Sequence, residues 1–206
     1  GGNTSAGDTF MLRAFSTQTA TFIDGIRDLG AITRDTFNLE QVEVVKGPAG
    51  TDIGRGAASG YINLITKLPT RTDQYGVTTT INTANNKRVT ADLNKQLSET
   101  SAARLNLMGQ TGGVEGRNVV ENNGYAIAPS FAWGLGTPTR IYLYSQHVRQ
   151  DNVPDGGIPT IGMEGFYNAA AQVREAPRVD RENFYGSAND YEKVDADMVT
   201  AKFEHD

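Results

Sequence analysis

The sequence predicts two architectures in series: an α+β domain over residues 1–72, then antiparallel strands of a transmembrane β-barrel over 73–206. Three observations carry this expectation. Short apolar runs bounded by Gly, Pro or Asp fill the first third of the chain. From about residue 75 the apolar period becomes two, with one face apolar and the other small or polar. The connections between the alternating segments are tight and long by turns, as in barrels that keep short turns on one side of the membrane and long loops on the other.

In the first third, Phe22-Ile23-Asp24-Gly25, Val42-Glu43-Val44-Val45-Lys46-Gly47-Pro48 and Tyr61-Ile62-Asn63-Leu64-Ile65 each read as a short strand ended by a turn residue. Thr36 to Glu40 reads as one helical turn, capped by Asp35 or Thr36. Pro69 closes this region. The glycine cluster from Lys46 to Gly60 fails the phosphate-loop template, because Gly54 is followed by Arg55 and Gly56. It reads instead as a tight, irregular crossing packed closely against another wall.

The second region supplies strands near 75–83, 88–97, 102–111, 124–134, 139–149 and 191–205. Val89, Ala91, Leu93 and Leu97 share one face, while Arg88, Thr90, Asp92, Asn94 and Gln96 share the other. Tyr125, Ile127, Pro129, Phe131 and Trp133 alternate with Ala126, Ala128, Ser130 and Ala132, so aromatic residues stand at both ends of one apolar face. A lipid-facing strand needs that distribution. Tyr142 and Tyr144 are expected to face the lumen, although one of them could instead belong to an aromatic girdle. The connections at 98–101 and 135–138 are tight and those at 111–123 and 150–190 are long; the short 84–87 connection falls on the long-loop side as an exception. Six strands do not close a pore around a domain of this size, so a complete barrel requires more chain.

Composition narrows the function. No stretch approaches the roughly 20 apolar residues of a spanning helix, and the mean hydropathy is -0.43. The net charge of -5 argues against nucleic acid as a partner. The chain has no cysteine, which removes thiolate metal sites and thiol nucleophiles. Only His147 and His205 are present, without helical metal-site spacing, and His147 is read as structural rather than as an iron ligand. The chain starts Gly1-Gly2-Asn3 without a charged-then-apolar leader and stops at Asp206 inside an alternating segment, so it is expected to be an internal piece of a longer protein.

Taken in order, Phe22 to Asp28, Val42 to Pro48, Gly54-Arg55-Gly56-Ala57 and Ile62-Asn63-Leu64-Ile65-Thr66-Lys67 resemble the plug of TonB-dependent outer-membrane receptors. Asp151 to Gly162, Arg34-Asp35-Thr36-Phe37-Asn38 and Asn183-Phe184-Tyr185-Gly186 are similar to the catecholate siderophore receptors of that family. The resemblance covers essentially the whole chain. It implies a plug inside a 22-stranded barrel in the bacterial outer membrane, with the later part of the plug and about the first six strands present here. It implies no catalysis. The family imports a ferric catecholate siderophore, energised by TonB and its inner-membrane complex, with the iron carried inside the siderophore complex rather than on protein ligands.

Site residues follow from the same resemblance. Arg13 and Arg55 occupy the positions that latch the plug to barrel glutamates, which would lie beyond Asp206. The family's Arg-Gly-Phe stands here as Arg13-Ala14-Phe15, so either the backbone at Ala14 is ordinary or the loop is shifted. Arg27 and Arg34 bracket a loop at the plug apex where a cation attracts an anionic complex. Thr17 and Gln18 would lie in the neighbouring loop and hydrogen-bond catechol or amide oxygens. Tyr167 and Arg174 in the long outer loop could stack on or pair with the ligand. A solvated side chain is the alternative at each of these positions.

Two other readings stay open on the sequence. The barrel could serve mainly as a docking receptor for phage or bacteriocin, or the chain could be a soluble β-rich carbohydrate-binding domain. The latter would draw on carboxylates such as Asp195 and Asp197, which share one strand face without an evident acid/base asymmetry.

Overall fold

In a computed structural model, the structure describes residues 11–12, 15–16, 21–28, 35–47, 60–83, 85–114, 119–153, 180, 182–184, 186–187 and 190–206. Two short strands, β1 (Met11–Leu12) and β2 (Phe15–Ser16), pair antiparallel. A four-stranded mixed sheet follows, built from β3 (Thr21–Ile23), β4 (Ile26–Arg27), β5 (Leu39–Lys46) and β6 (Gly60–Thr66) in the order β4-β3-β6-β5. Six further strands form one antiparallel meander in chain order: β7 (Gln74–Ile81), β8 (Lys87–Gln96), β9 (Ser101–Thr111), β10 (Glu121–Trp133), β11 (Thr139–Val153) and β12 (Glu192–His205).

Local chemistry explains the small sheet. Asp24 (φ 51) and Gly25 (φ 80) both adopt the left-handed region, so the two-residue turn joining β3 to β4 matches the twist of its strands. Asp35 caps a 3-10 turn at Thr36–Asn38, its Oδ1 accepting from the Phe37 amide at 2.9 Å. The helical turn expected over Thr36 to Glu40 is therefore shorter than the sequence suggested. Leu39 and Glu40 already belong to β5, whose pairing with β6 satisfies their backbone better than another turn would. At Gly60 (φ 111) a Cβ would sit 1.9 Å from the Val45 carbonyl oxygen, so the start of β6 demands glycine.

The large sheet inverts the burial order of a soluble domain. Along β8, β9 and β10 its buried face carries Asn94, Arg104, Asn106 and Ser130 with small or flexible Ala102, Met108, Ala126, Ala128 and Ala132. Its opposite face exposes Tyr75, Val77, Ile81, Val89, Tyr125, Phe131, Trp133, Ile141, Leu143, Val199 and Phe203. Phe131 and Trp133 stack there, 6.0 Å between centroids. Lipid on the apolar face and protein on the polar one satisfy both. Pro129 lies inside β10 on the outward side; lacking an N–H, it coincides with a gap in the ladder to β11 between Ile127↔His147 and Ser130↔Tyr144. The six strands lie where the two-residue period places them, and β10 and β11 extend further at their long-loop ends.

The small sheet lies against the buried face. Phe37, 5% exposed, packs with Met108, Ala126, Ala128 and Val148, so one aromatic side chain from the 3-10 turn fills the space left by alanines on the wall. Burying such a ring contributes about 1.5–3 kcal/mol.

Candidate functional site at the seam between the two sheets

Among the described residues, polar groups hold the seam around the Phe37 cluster. Near the long-loop end, Arg88 of β8 forks onto Asp35, with Nη1 to Oδ2 at 2.9 Å, and also donates to Gln110 Oε1 of β9 at 2.7 Å. Asp35 therefore does two things: one oxygen caps the 3-10 turn, and the carboxylate pairs the turn to the wall. The alternation of β8 puts Arg88 on this face, and the cap geometry turns Asp35 towards it.

Midway along β8 and β9, Arg104 is 6% exposed at its side chain and clamps Asp92 through Nε and Nη2, both at 2.8 Å. Its remaining reach goes to the small domain: Nη1 donates to the Leu68 carbonyl at 2.8 Å, and Nη2 lies 3.5 Å from Glu40. Lys67 answers from the other side, 3.1 Å from Asp92 and within reach of the Phe37 carbonyl. A buried guanidinium with a bidentate carboxylate and a carbonyl is satisfied in the way such a group requires.

On β11, the Tyr144 hydroxyl donates to Asp24 Oδ2 at 2.9 Å, while Asp24 Oδ1 accepts from the Thr66 amide at 2.8 Å. Tyr144 is buried, and Tyr142 packs against the Ala102, Ala132 and Leu135 cluster, so both tyrosines face inward. Asn94, wholly buried, donates to the Thr70 and Thr72 carbonyls at 2.8 and 2.7 Å and accepts from the Thr70 amide at 3.0 Å. Just beyond, Asp73 accepts from the Gln96 amide at 2.7 Å and pairs with Lys95. The Lys95 ammonium, then the Gln96 amide, holds the Asp73 carboxyl below the usual carboxylate range.

Of the ligand-binding and latch residues that the resemblance implies, Arg27 alone falls within the described structure. It lies on β4 opposite Phe22 and is exposed. Arg13, Ala14, Thr17, Gln18, Arg34, Arg55, Tyr167 and Arg174 lie outside the described residues, as does most of the glycine cluster. His147 places Nδ1 2.7 Å from Asp197, which also pairs with Arg149, and Arg149 reaches Asp195 at 3.5 Å. These charges lie on the outward face, in line with Ile141 and Leu143 of β11 and with Val199 of β12. Sequence reasoning missed the seam residues Asp24, Asp35, Asp92, Asn94, Arg88 and Arg104. For Arg88, Asp92, Asn94 and Arg104 the signal was present as ionisable and amide groups on the polar face of β8 and β9, but alternation does not separate a face turned to water from one turned to protein; Asp24 and Asp35 were legible only as turn and cap residues.

The comparisons agree with this architecture. Residues 1–61 match the TonB-dependent receptor plug domain. The chain is 46% identical over 208 residues to the catecholate siderophore receptor Fiu of Escherichia coli K12, covering 100% of this chain and 27% of that protein. It is 35% identical over 211 residues to the probable TonB-dependent siderophore receptor PiuA of Acinetobacter baumannii, again with 100% and 27% covered. The crystal structure of the ferric-catecholate import receptor Fiu from E. coli K12, open form, superimposes with a TM-score of 0.89 at 46% identity, over 97% of this chain and 31% of that one. The PiuA structure from A. baumannii gives 0.86 at 33% identity, over 97% and 28%. The chain thus spans roughly a quarter of the length of the curated relatives it matches. With a plug-domain match at its start and an inward-polar, outward-apolar meander after it, the chain belongs to the TonB-dependent outer-membrane receptors, and it is similar to their catecholate siderophore branch.

Proposed function

We propose that the protein to which this chain belongs imports ferric catecholate siderophores through the outer membrane, with TonB supplying the work from the periplasmic side. The observation that carries the reading is the seam. A domain that must block a barrel at rest and shift under load needs contacts that are specific but separable. Ion pairs and hydrogen bonds such as Asp35 with Arg88, Lys67 with Asp92 and Tyr144 with Asp24 meet that need better than a continuous apolar interface. No bond in the cargo is made or broken. Iron enters within the siderophore's own coordination sphere, with no protein ligand to the metal, and outer-membrane lipid surrounds the apolar face.

Recognition is assigned to the plug apex and outer loops. Arg27 on exposed β4, with Arg34, Thr17 and Gln18 nearby in sequence, supplies positive charge and donors to an anionic complex, and Tyr167 and Arg174 add stacking or pairing from the outer loop. Arg13 and Arg55 act as further latches to barrel carboxylates. The test is ferric-catecholate binding and iron uptake by the full-length receptor, comparing wild type with Arg27→Ala and Arg34→Ala at two ionic strengths, in cells with and without TonB. Expected are TonB-dependent uptake, weaker binding by each variant, and wild-type binding that falls with salt. Binding without uptake would favour a docking receptor, and absence of ferric-catecholate binding by the wild type would overturn the substrate assignment.

A further inference from the structure

Residues 67–73 join the small sheet to β7 and belong to neither sheet, yet several of their main-chain groups are bonded to side chains of the wall. The Leu68 carbonyl accepts from Arg104, the Thr70 amide and carbonyl both bond the Asn94 side chain, and the Thr72 carbonyl takes the second Asn94 N–H. Asn94 thus spends both donors and its acceptor on one connecting segment. It is 0% exposed, so water cannot replace those bonds without the segment lifting away. At either end, Lys67 pairs with Asp92 and Asp73 bonds the Gln96 amide. Gly136, in the turn joining β10 to β11, packs so closely on Arg71 that an added Cβ would sit 2.5 Å from its guanidinium.

The rest of the seam is built differently. Its ion pairs join side chain to side chain, and Glu40 is 57% exposed. Such contacts separate without exposing unpaired backbone. Lifting residues 68–72 would break at once the four bonds made by three carbonyls and one amide and would uncover the wholly buried Asn94, so the segment leaves as a unit or not at all.

We propose that Asn94 is a positioning residue for transport: it keeps the plug-to-barrel connection docked on the wall, so the C-terminal end of the plug is a fixed pivot about which the rest is displaced. The inference rests on the transport reading above. It assigns movement to the segment before Lys67 and rest to the segment after it.

The test uses the full-length receptor. In Asn94→Leu, which keeps the branched heavy-atom skeleton but removes all three bonds, hydrogen exchange at the Thr70 amide should accelerate by about tenfold or more. Iron uptake should fall several-fold, with ferric-catecholate affinity within about twofold of wild type, because the binding groups lie on other segments. Unchanged exchange, or faster exchange with unchanged uptake, would overturn the proposal. Because truncating Asn94 could weaken assembly of the barrel, a second arm cross-links the contact instead, as Asn94→Cys with Thr70→Cys; the chain contributes no cysteine of its own over these residues. The reduced form lacks the Asn94 bonds and should take up iron as poorly as Asn94→Leu; a pivot that must stay docked predicts that oxidation restores uptake towards wild type, whereas uptake that is unchanged or falls further on oxidation would overturn the proposal. If the wild type binds no ferric catecholate, the transport reading fails first, and the exchange measurement still decides whether Asn94 anchors the connection.

Discussion

The Tyr144 hydroxyl on the barrel wall donates to Asp24 Oδ2 in the β3–β4 turn, 2.9 Å away and 120 residues apart in sequence. The same carboxylate accepts from the Thr66 amide, so one side chain in a left-handed turn ties hairpin, neighbouring strand and wall together. Tyr144→Phe removes one donor and should lower the stability of the docked plug by about 1–2 kcal/mol. Asp24→Ala loses both bonds and adds the cost of alanine at positive φ, and should be worse. Asp24→Asn keeps an acceptor and tolerates the turn, and should be the mildest. Protease susceptibility of the plug across a urea series ranks the three, and an order with Asn most damaging would contradict this account.

Asp35 has two separable roles. Asp35→Asn retains an oxygen for the Phe37 amide but gives up the ion pair with Arg88, whereas Asp35→Ala gives up both. The expected difference between them is about 1 kcal/mol, the worth of a cap. A double-mutant cycle of Asp35→Asn with Arg88→Gln should give a coupling of about 1 kcal/mol for this part-buried pair. A coupling near zero would mean that Gln110 and solvent already satisfy Arg88.

Asn106 is wholly buried on the inward face of β9, and among the described residues neither its amide nitrogen nor its amide oxygen finds a hydrogen-bond partner. Replacing such a group with an apolar side chain of similar size removes a desolvation penalty. Asn106→Leu should therefore be neutral or stabilise plug docking by about 1 kcal/mol, against the usual direction for a buried polar position. A clear loss of stability in the same urea assay would refute the prediction.

The outward face carries the opposite rule. Leu143 is exposed beside Ile141 and opposite Ala201 of β12, in the band assigned to lipid. Leu143→Arg should cost about 2–4 kcal/mol near the bilayer midplane and reduce the heat-modifiable folded fraction in membranes. The same substitution at Glu192, at the long-loop end of β12, should be far milder. Equal folding of Leu143→Arg and wild type would mean that this face does not meet hydrocarbon.

Asp73 supplies a pH dependence with a definite sign. Its carboxyl is held below the usual range by Lys95 and the Gln96 amide. A depressed folded pKa means that its contribution is complete above the unfolded value of about 4 and is lost as pH falls through the folded value. Exchange protection of the Gln96 amide should therefore drop in acid in the wild type. In Asp73→Asn it should be weaker at neutral pH and nearly flat across the same range. The site is exposed, so the effect is local rather than global.

Much of the fold was legible from periodicity. The six wall strands were readable because a side-chain period of two is a property of the chain itself, and Asp24-Gly25 announced a turn because few residues accept positive φ. The Asp35 cap was legible for a similar local reason. The end of the 3-10 turn at Asn38 was not, since it depends on the pairing of Leu39 with Thr66 across the small sheet.

Which polar residues meet each other was beyond the sequence. The residues Arg88, Asp92 and Asn94 announced a polar face, and composition excluded thiolate chemistry and spanning helices. Those conclusions follow from residue type and spacing alone. Whether that face meets water or a second sheet, and that Arg88 finds Asp35 53 residues away while Tyr144 finds Asp24 at 120, was decided only when the two sheets came together. The reason is physical: alternation encodes the direction in which a side chain leaves its strand, but the partner that compensates its desolvation is supplied by tertiary packing.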